Sequence, residues 1–382
     1  MADGSVQGFT QDRYAPVRAA FEANLATEAE VGASFCATLE GEIVVDLWGG
    51  FADAAKTRPW RRDTIVNVYS TTKTMTFLVA LMLADRGELD FDAPVARYWP
   101  EFAAKGKGDI RVRHLMSHSA GLSGWKERIT KEDLYDWDKM TGLLAAQAPL
   151  WPPGTQSGYH AITQGYLIGE VVRRITGRTI GTFFREEIAG PLGADFHIGL
   201  PASEDDRVAE LIPPPPGQGA GDNPGQTELQ KITFNNPGID VSATATRAWR
   251  GAEIPAAGGT GNARSVAQAH MILANGGVAQ GKRFLSEAGC RRALELQIEG
   301  EDLMLGGPAR FGLGFGLGGG IMPFPNPEDS LYWGGYGGSI ILIDLKARTT
   351  IAYVMNKMQG TTTGDMRGLG LAMAFWEALG TG

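Results

Sequence analysis

Ser70 and Lys73 stand three residues apart at the front of an apolar run that includes Met75, Phe77, Leu78, Val79, Leu81, Met82 and Leu83. Residues i and i+3 share a helix face, so a helix starting near Ser70 points the hydroxyl and the Lys73 side chain into one space. A helix N-terminus disfavours a cation, and burial weakens a lysine's hold on its proton. Both effects push Lys73 towards a neutral amine able to accept the Ser70 proton, which is how a weak hydroxyl becomes a nucleophile. The competing reading is a helix cap beside a surface lysine. A chain with 13 serines and 11 lysines can hold such a pair by chance, and a second one exists, Ser123 and Lys126. That pair has no apolar helix after it and runs into Glu127 and Arg128, so its lysine is expected in water.

Two further segments carry chemistry. "WPPGTQSGYHAITQGYLIGEVVRRITG" (151–177) places Tyr159 in a polar loop before a strong helical pattern, and "YWGGYGGSIILIDL" places Trp333, Gly334 and Gly335 at the start of a strand. With "VRHLMSHSAGLSG" (112–124) between the first two, the chain resembles the serine beta-lactamase and penicillin-binding protein superfamily. The likeness is to its class C-like branch, and most of all to the family VIII carboxylesterases. It covers nearly the whole chain, with the motifs in the family's order. The resemblance implies a beta-lactamase/transpeptidase-like fold. It also implies Ser70 as nucleophile, Lys73 and Tyr159 sharing the base and acid roles, and an oxyanion hole made by the backbone amides of Ser70 and Tyr336. Trp333, Gly334, Gly335 and His160 are then expected at the substrate pocket. A phenol titrates near pH 10, so Tyr159 serves as a base only where a cation such as Lys73 stabilises its anion. Glycines suit a strand that must present bare N–H groups to a substrate, although they equally mark a tight strand edge.

Departures from the superfamily pattern narrow the expected activity. Where the lactamases and peptidases have Tyr-x-Asn, this chain has Tyr159-His160-Ala161, and an alanine side chain cannot hydrogen-bond an acylamino group. Where Lys-Thr-Gly is common, Trp333 takes the place of the lysine. That removes a cation able to attract a beta-lactam carboxylate and substitutes an apolar wall with an indole N–H. The expectation is a serine carboxylesterase acting on small to medium esters through an acyl-enzyme. The alternatives are a beta-lactamase or D-amino-acid peptidase, an amide hydrolase, an acyltransferase, or a non-catalytic penicillin-recognising module. The last is disfavoured because Ser70, Lys73 and Tyr159 are all present.

These residues need a scaffold from both chain ends. Tyr14, Val17, Phe21 and Leu25 give an amphipathic first helix, and "ASFCATLEGEIVVDLWGG" reads as two strands joined at Glu40-Gly41. Late in the chain, Phe311–Leu317 alternates with glycines, while 339–345 and 349–356 look like an antiparallel pair before a closing helix. The middle reads as mostly helical, with 109–118, 165–177 and 265–277 the clearest segments. The expected class is α/β plus all-α: an antiparallel sheet flanked by helices, built from 1–92 and 301–382, with a helical domain inserted over 93–300. "LIPPPPGQGAGDNPGQTE" (211–228) is irregular and reads first as a solvated loop, second as the lining of a substrate entrance.

Composition adds exclusions. With 43% apolar and 20% charged residues the 382-residue chain is an ordinary folded protein. A net charge of −8 with no basic stripe argues against nucleic acid as a partner. Two cysteines, Cys36 and Cys290, make no disulfide framework. The first residues show no basic region followed by an apolar core, and no run is long enough for a bilayer span, so a cytoplasmic location is expected. No cofactor is expected. Gly314–Gly319 matches G-x-G-x-x-G, but the text after it cannot open a helix. His114 and His118, four apart, lack acidic or cysteine company and are read as packing or hydrogen-bonding residues rather than metal ligands. No G-x-S-x-G elbow occurs. The partner expected is a small-molecule ester, and the oligomeric state is left open.

Overall fold

The computed structural model describes residues 4–218, 224–238, 240–320 and 322–380, so positions 219–223 of the proline-glycine loop lie outside the described residues. Its centre is a nine-stranded antiparallel sheet. In chain order the strands are β1 (Gln7–Thr10), β2 (Gly32–Leu39), β3 (Glu42–Gly50), β4 (Ile298–Glu301), β5 (Pro308–Phe311), β6 (Gly316–Leu317), β7 (Ser330–Gly334), β8 (Ile340–Asp344) and β9 (Thr349–Met355). Across the sheet they run β1-β3-β2-β9-β8-β7-β6-β5-β4. The two chain ends meet where β9 pairs with β2, from Thr349 opposite Leu39 to Met355 opposite Ala33. The β2–β3 hairpin turns at Glu40-Gly41, both at positive φ (50° and 87°).

β9 is buried along its whole length, which requires cover on both faces. Successive side chains alternate in direction, and the partners alternate with them. Thr350 Oγ1 donates to Ala267 O of α4 (Ala263–Ala274) at 3.2 Å. On the opposite face Tyr353 packs on Gly368 of α5 (Met366–Leu379). The latter lies against α1 (Ala15–Leu25), where the rings of Tyr14 and Phe375 stack at 4.8 Å. Helix α4 falls within the 93–300 segment yet packs directly on the sheet, whose strands resume at Ile298.

Two helices place the chemistry. α2 (Lys73–Asp85) is buried from Lys73 to Leu83 on every side, as expected of a helix apolar all round. α3 (Thr163–Thr176) packs beside it and ends at Gly177, which holds a left-handed φ of 69°. No helix among the described residues is long and apolar enough to cross a membrane.

Candidate active site

The turn into α2 carries local backbone strain. Ser70 lies in a short 3-10 turn, Tyr69–Thr72, ahead of α2. Tyr69 itself holds φ of +43°, a conformation costly for a bulky residue. Several groups hold it there. Asn67 Oδ1 accepts the Tyr69 N–H at 3.2 Å, and the Tyr69 ring meets those of Trp249 and Tyr336 edge-on at 6.4 and 5.5 Å. The preceding Val66-Asn67 pairs antiparallel with Thr260-Gly261. This hold keeps Ser70 partly exposed at the end of a buried helix.

Three side chains converge on one point, with Ser70 at its centre. Lys73, 1% exposed, has Nζ 3.2 Å from Ser70 Oγ, 2.7 Å from Ala161 O and 3.0 Å from Ala256 O. The Tyr159 hydroxyl donates to Ser70 Oγ at 2.6 Å, and the Lys73 Nζ sits 4.8 Å from the Tyr159 ring centre. Burial drives the Lys73 pKa well below the usual 10.5, with no carboxylate opposing it among the described residues. Burial also pushes the Tyr159 phenol upward, against the lowering effect of its hydrogen bond to Ser70 and reinforced by the Asp302 charge. Both groups are therefore driven towards their neutral forms. A neutral amine has two N–H donors and one lone pair. The carbonyls of Ala161 and Ala256 take the donors, and the lone pair is left for the Ser70 O–H.

The glycine strand closes the site from the other side. Ser339 Oγ donates to Val68 O at 3.1 Å, and Thr71 Oγ1 is 3.0 Å from Ser339 Oγ. A Cβ on Gly335 would stand 2.1 Å from Val68 O, so close approach of the strand to the serine turn demands glycine there. Tyr336 follows it into the wall of a cavity of about 460 Å3 that also holds Ser70, Tyr159, Trp125 and Phe234. A second cavity of about 230 Å3 lies on the far side of Tyr159, lined by Trp333, Gly334, Phe311, Tyr332 and Leu305. Pro213–Pro216 form part of the first cavity's wall, so this end of the proline-glycine loop borders the entrance, the second of its two sequence readings.

The structure brings Ser70, Lys73, Tyr159, Tyr336, Trp333 and Gly334 to the site, but not His160 or Gly335 as pocket walls. Gly335 is spent on packing against Val68. His160 is fully buried behind Tyr159 and lines neither cavity. Its Nε2 accepts the Leu122 N–H at 3.1 Å and its Nδ1–H donates to Gly158 O at 2.6 Å, and burial takes its pKa down to about 3. It is a neutral brace for the tyrosine loop. His118 braces the same loop, since its Nδ1 accepts the His160 N–H at 3.0 Å and its ring stacks on Trp333 at 5.5 Å. His114 Nδ1 instead accepts the Arg111 N–H at the start of a short helix. Sequence reasoning missed the Ala256 loop, Asp302 and the strain at Tyr69. Only the first had a signal, the glycines of "PAAGGTG" (255–261), which mark close backbone approach.

The second Ser-x-x-Lys pair falls apart in space. Ser123 Oγ is buried 2.7 Å from Thr233 Oγ1, whereas Lys126 is exposed. Ser123→Ala is expected to leave ester turnover within about twofold of the parent while costing about 1 kcal/mol of stability for the lost hydrogen bond. Steady-state rates and a thermal melt check both. A loss of turnover comparable with that of a Ser70 variant would make Ser123 part of the reaction centre.

Comparison with known proteins fits this geometry. The Beta-lactamase family model matches residues 17–372. This chain belongs to the beta-lactamase family. Within that family it is 37% identical over 368 residues to the Esterase/beta-lactamase LipL of Mycobacterium tuberculosis, covering 92% of this chain and 83% of that protein. The crystal structure of a family VIII carboxylesterase superposes with a TM-score of 0.93 at 44% identity, over 98% of this chain and 100% of the other. A penicillin-binding protein homologue from Caulobacter crescentus superposes at 0.91 with 39% identity, over 98% and 100%. The names of these relatives thus span carboxylesterase, esterase/beta-lactamase and penicillin-binding protein homologue, and the walls around Ser70 must discriminate.

Proposed function

We propose that the chain is a serine carboxylesterase of the beta-lactamase family, with Ser70 as nucleophile, Lys73 as general base and Tyr159 as general acid. The observation that carries this reading is the convergence of Lys73 Nζ and Tyr159 OH on Ser70 Oγ, with both carbonyl acceptors of Lys73 in place. In acylation, the Ser70 proton passes to Lys73 as Oγ attacks the ester carbonyl. The tetrahedral oxyanion is received by the backbone amides of Ser70 and Tyr336. As the C–O bond breaks, the leaving alkoxide takes the Tyr159 proton, and the new Lys73 ammonium stabilises the phenolate left behind. In deacylation, water gives a proton to that phenolate and attacks the acyl carbon. Ser70 then departs with the proton held by Lys73, so the cycle returns every group to its starting form.

Charge around the cavities favours an uncharged ester. Among the described residues lining the two cavities there is no lysine or arginine, and Asp240 sits in the larger one. A beta-lactam carboxylate entering here meets no cation among the described lining residues and the charge of Asp240, itself 3.9 Å from Lys131, which costs affinity. Neutral acyl and alcohol groups meet Trp125, Phe234 and Val241 on one side and Trp333 and Phe311 on the other, surfaces that reward their burial.

Matched panels of p-nitrophenyl esters and a chromogenic cephalosporin test the assignment. Acetate to hexanoate esters are expected to give kcat/KM at least about a hundredfold above the cephalosporin, a difference of about 2.7 kcal/mol in transition-state binding. Cephalosporin turnover equal to or above ester turnover would reverse the reading, and LipL's double name makes that arm worth running.

A further inference from the structure

We infer that Asp302 is a positioning residue for Tyr159, taking the tyrosine's backbone N–H and holding the phenol over Ser70. This inference rests on the proposed role of Tyr159. Asp302 lies 143 residues away along the chain, in the turn between β4 and β5, and is 1% exposed. Its Oδ1 accepts three N–H groups: Tyr159 at 3.0 Å, Met304 at 2.9 Å and Leu305 at 2.9 Å. Carboxylates are seldom buried without a cation, and no ion pair to Asp302 exists among the described residues. Three amide donors on Oδ1 offset part of this burial, while Oδ2 is buried with no hydrogen-bond partner among the described residues.

The arrangement joins two segments at the tyrosine. Leu303 N donates to Ser157 O at 3.0 Å, so the 302–307 turn grips the tyrosine loop at two nearby points, Ser157 and Tyr159. From behind, His118 Nδ1 holds the next N–H, that of His160. Tyr159 therefore has its own N–H and its neighbour's fixed by side chains from two remote parts of the chain. The side chain that results reaches Ser70 Oγ at 2.6 Å, a distance at which a shift of about 1 Å is expensive for catalysis. Leu305 and Gly307, in the same turn, line the smaller cavity. Asp302 thereby sets the acid and one wall of the smaller cavity together.

A double-mutant cycle on the full chain tests this. With p-nitrophenyl acetate, Asp302→Ala is expected to lower kcat about a hundredfold with KM changed less than about threefold. Asp302→Asn keeps an acceptor oxygen and is expected to recover most of the loss, to within about tenfold of the parent. In a Tyr159→Phe background, whose own kcat falls on the order of a thousandfold, adding either Asp302 change is expected to cost no more than about threefold more, because residues acting as a unit are not additive. If Asp302→Ala does not fold, the Asn variant completes the cycle alone. Additive losses in the double variant, or equal effects on kcat and KM from Asp302→Asn, would make Asp302 a structural residue only and overturn the inference while leaving the esterase reading intact. Parent-like kcat in Tyr159→Phe alone would overturn both the inference and the general-acid role of Tyr159 on which it rests.

Discussion

Ser70→Ala is expected to abolish ester turnover, with kcat down by at least about 10^4-fold and the folded state retained. Losing a covalent nucleophile removes the acyl-enzyme route altogether, and what is left is water attack assisted by the pocket and the oxyanion donors. Ser70 is partly exposed and its Oγ is the common partner of Lys73 and Tyr159, so the substitution leaves the base and the acid with no hydroxyl to act on. A second loss at Lys73 or Tyr159 then adds little, as is usual for residues that act as a unit. Steady-state kinetics with p-nitrophenyl acetate measures the loss. Labelling the parent with a serine-directed phosphonate and sequencing the modified peptide by mass spectrometry locates the nucleophile independently. A label on any peptide other than the one containing Ser70, or turnover in Ser70→Ala above about a hundredth of the parent's, would remove Ser70 from the centre of the reaction.

How much of the fold and the site is legible in the sequence depends on the kind of signal each part leaves. The sheet is readable from both ends because its strands are apolar runs punctuated by turn residues. The β2–β3 hairpin turns at Glu40-Gly41 as expected, and β8 pairs antiparallel with β9. The Ser70 and Lys73 pair is readable because i, i+3 spacing is local. Tyr159 needs the order of motifs along the chain, since a loop tyrosine has no periodic signature. Contributions made by the main chain are out of reach. Ala161 draws notice because its side chain cannot hydrogen-bond a substrate, yet its carbonyl accepts from Lys73 at 2.7 Å, a service any residue can provide. Ala256 is the same case. His160 misleads for the opposite reason. A polar ring next to Tyr159 suggests the pocket, but a loop that must fix a tyrosine also needs acceptors for buried backbone N–H groups, and that need turns the ring inward. Asp302 has no sequence signal at all, because an isolated aspartate is by default a surface residue.

Lys73→Met carries the second largest expected effect, and it separates the lysine's chemistry from its cost to the fold. Methionine keeps most of the volume and removes the base, so kcat is expected to fall by at least about 10^3-fold, and Lys73→Arg is expected to do no better because a guanidinium cannot give up its proton. The stability effect depends on pH with a sign fixed by the burial. In the folded chain the Lys73 pKa is driven well below 10.5, whereas unfolded lysine titrates near its ordinary value. Between those two values unfolding takes up a proton at this residue, so it contributes stability that is present above the unfolded pKa and lost as pH falls towards the folded pKa. Lys73→Met has no such group. The melting temperature of the parent, measured relative to that of the variant, is therefore expected to decline as pH is lowered from about 10 and to level off once pH passes the folded pKa. Thermal melts across that range, alongside pH–rate profiles for the parent, read the same ionisation twice: activity should rise with pH through the pKa at which the relative stability stops falling. Parallel melting curves for the two proteins would mean that the folded lysine keeps its proton. The base would then have to be Tyr159 as a phenolate held by that ammonium, and the raised proton affinity that burial gives the phenol would have to be overcome by the lysine beside it.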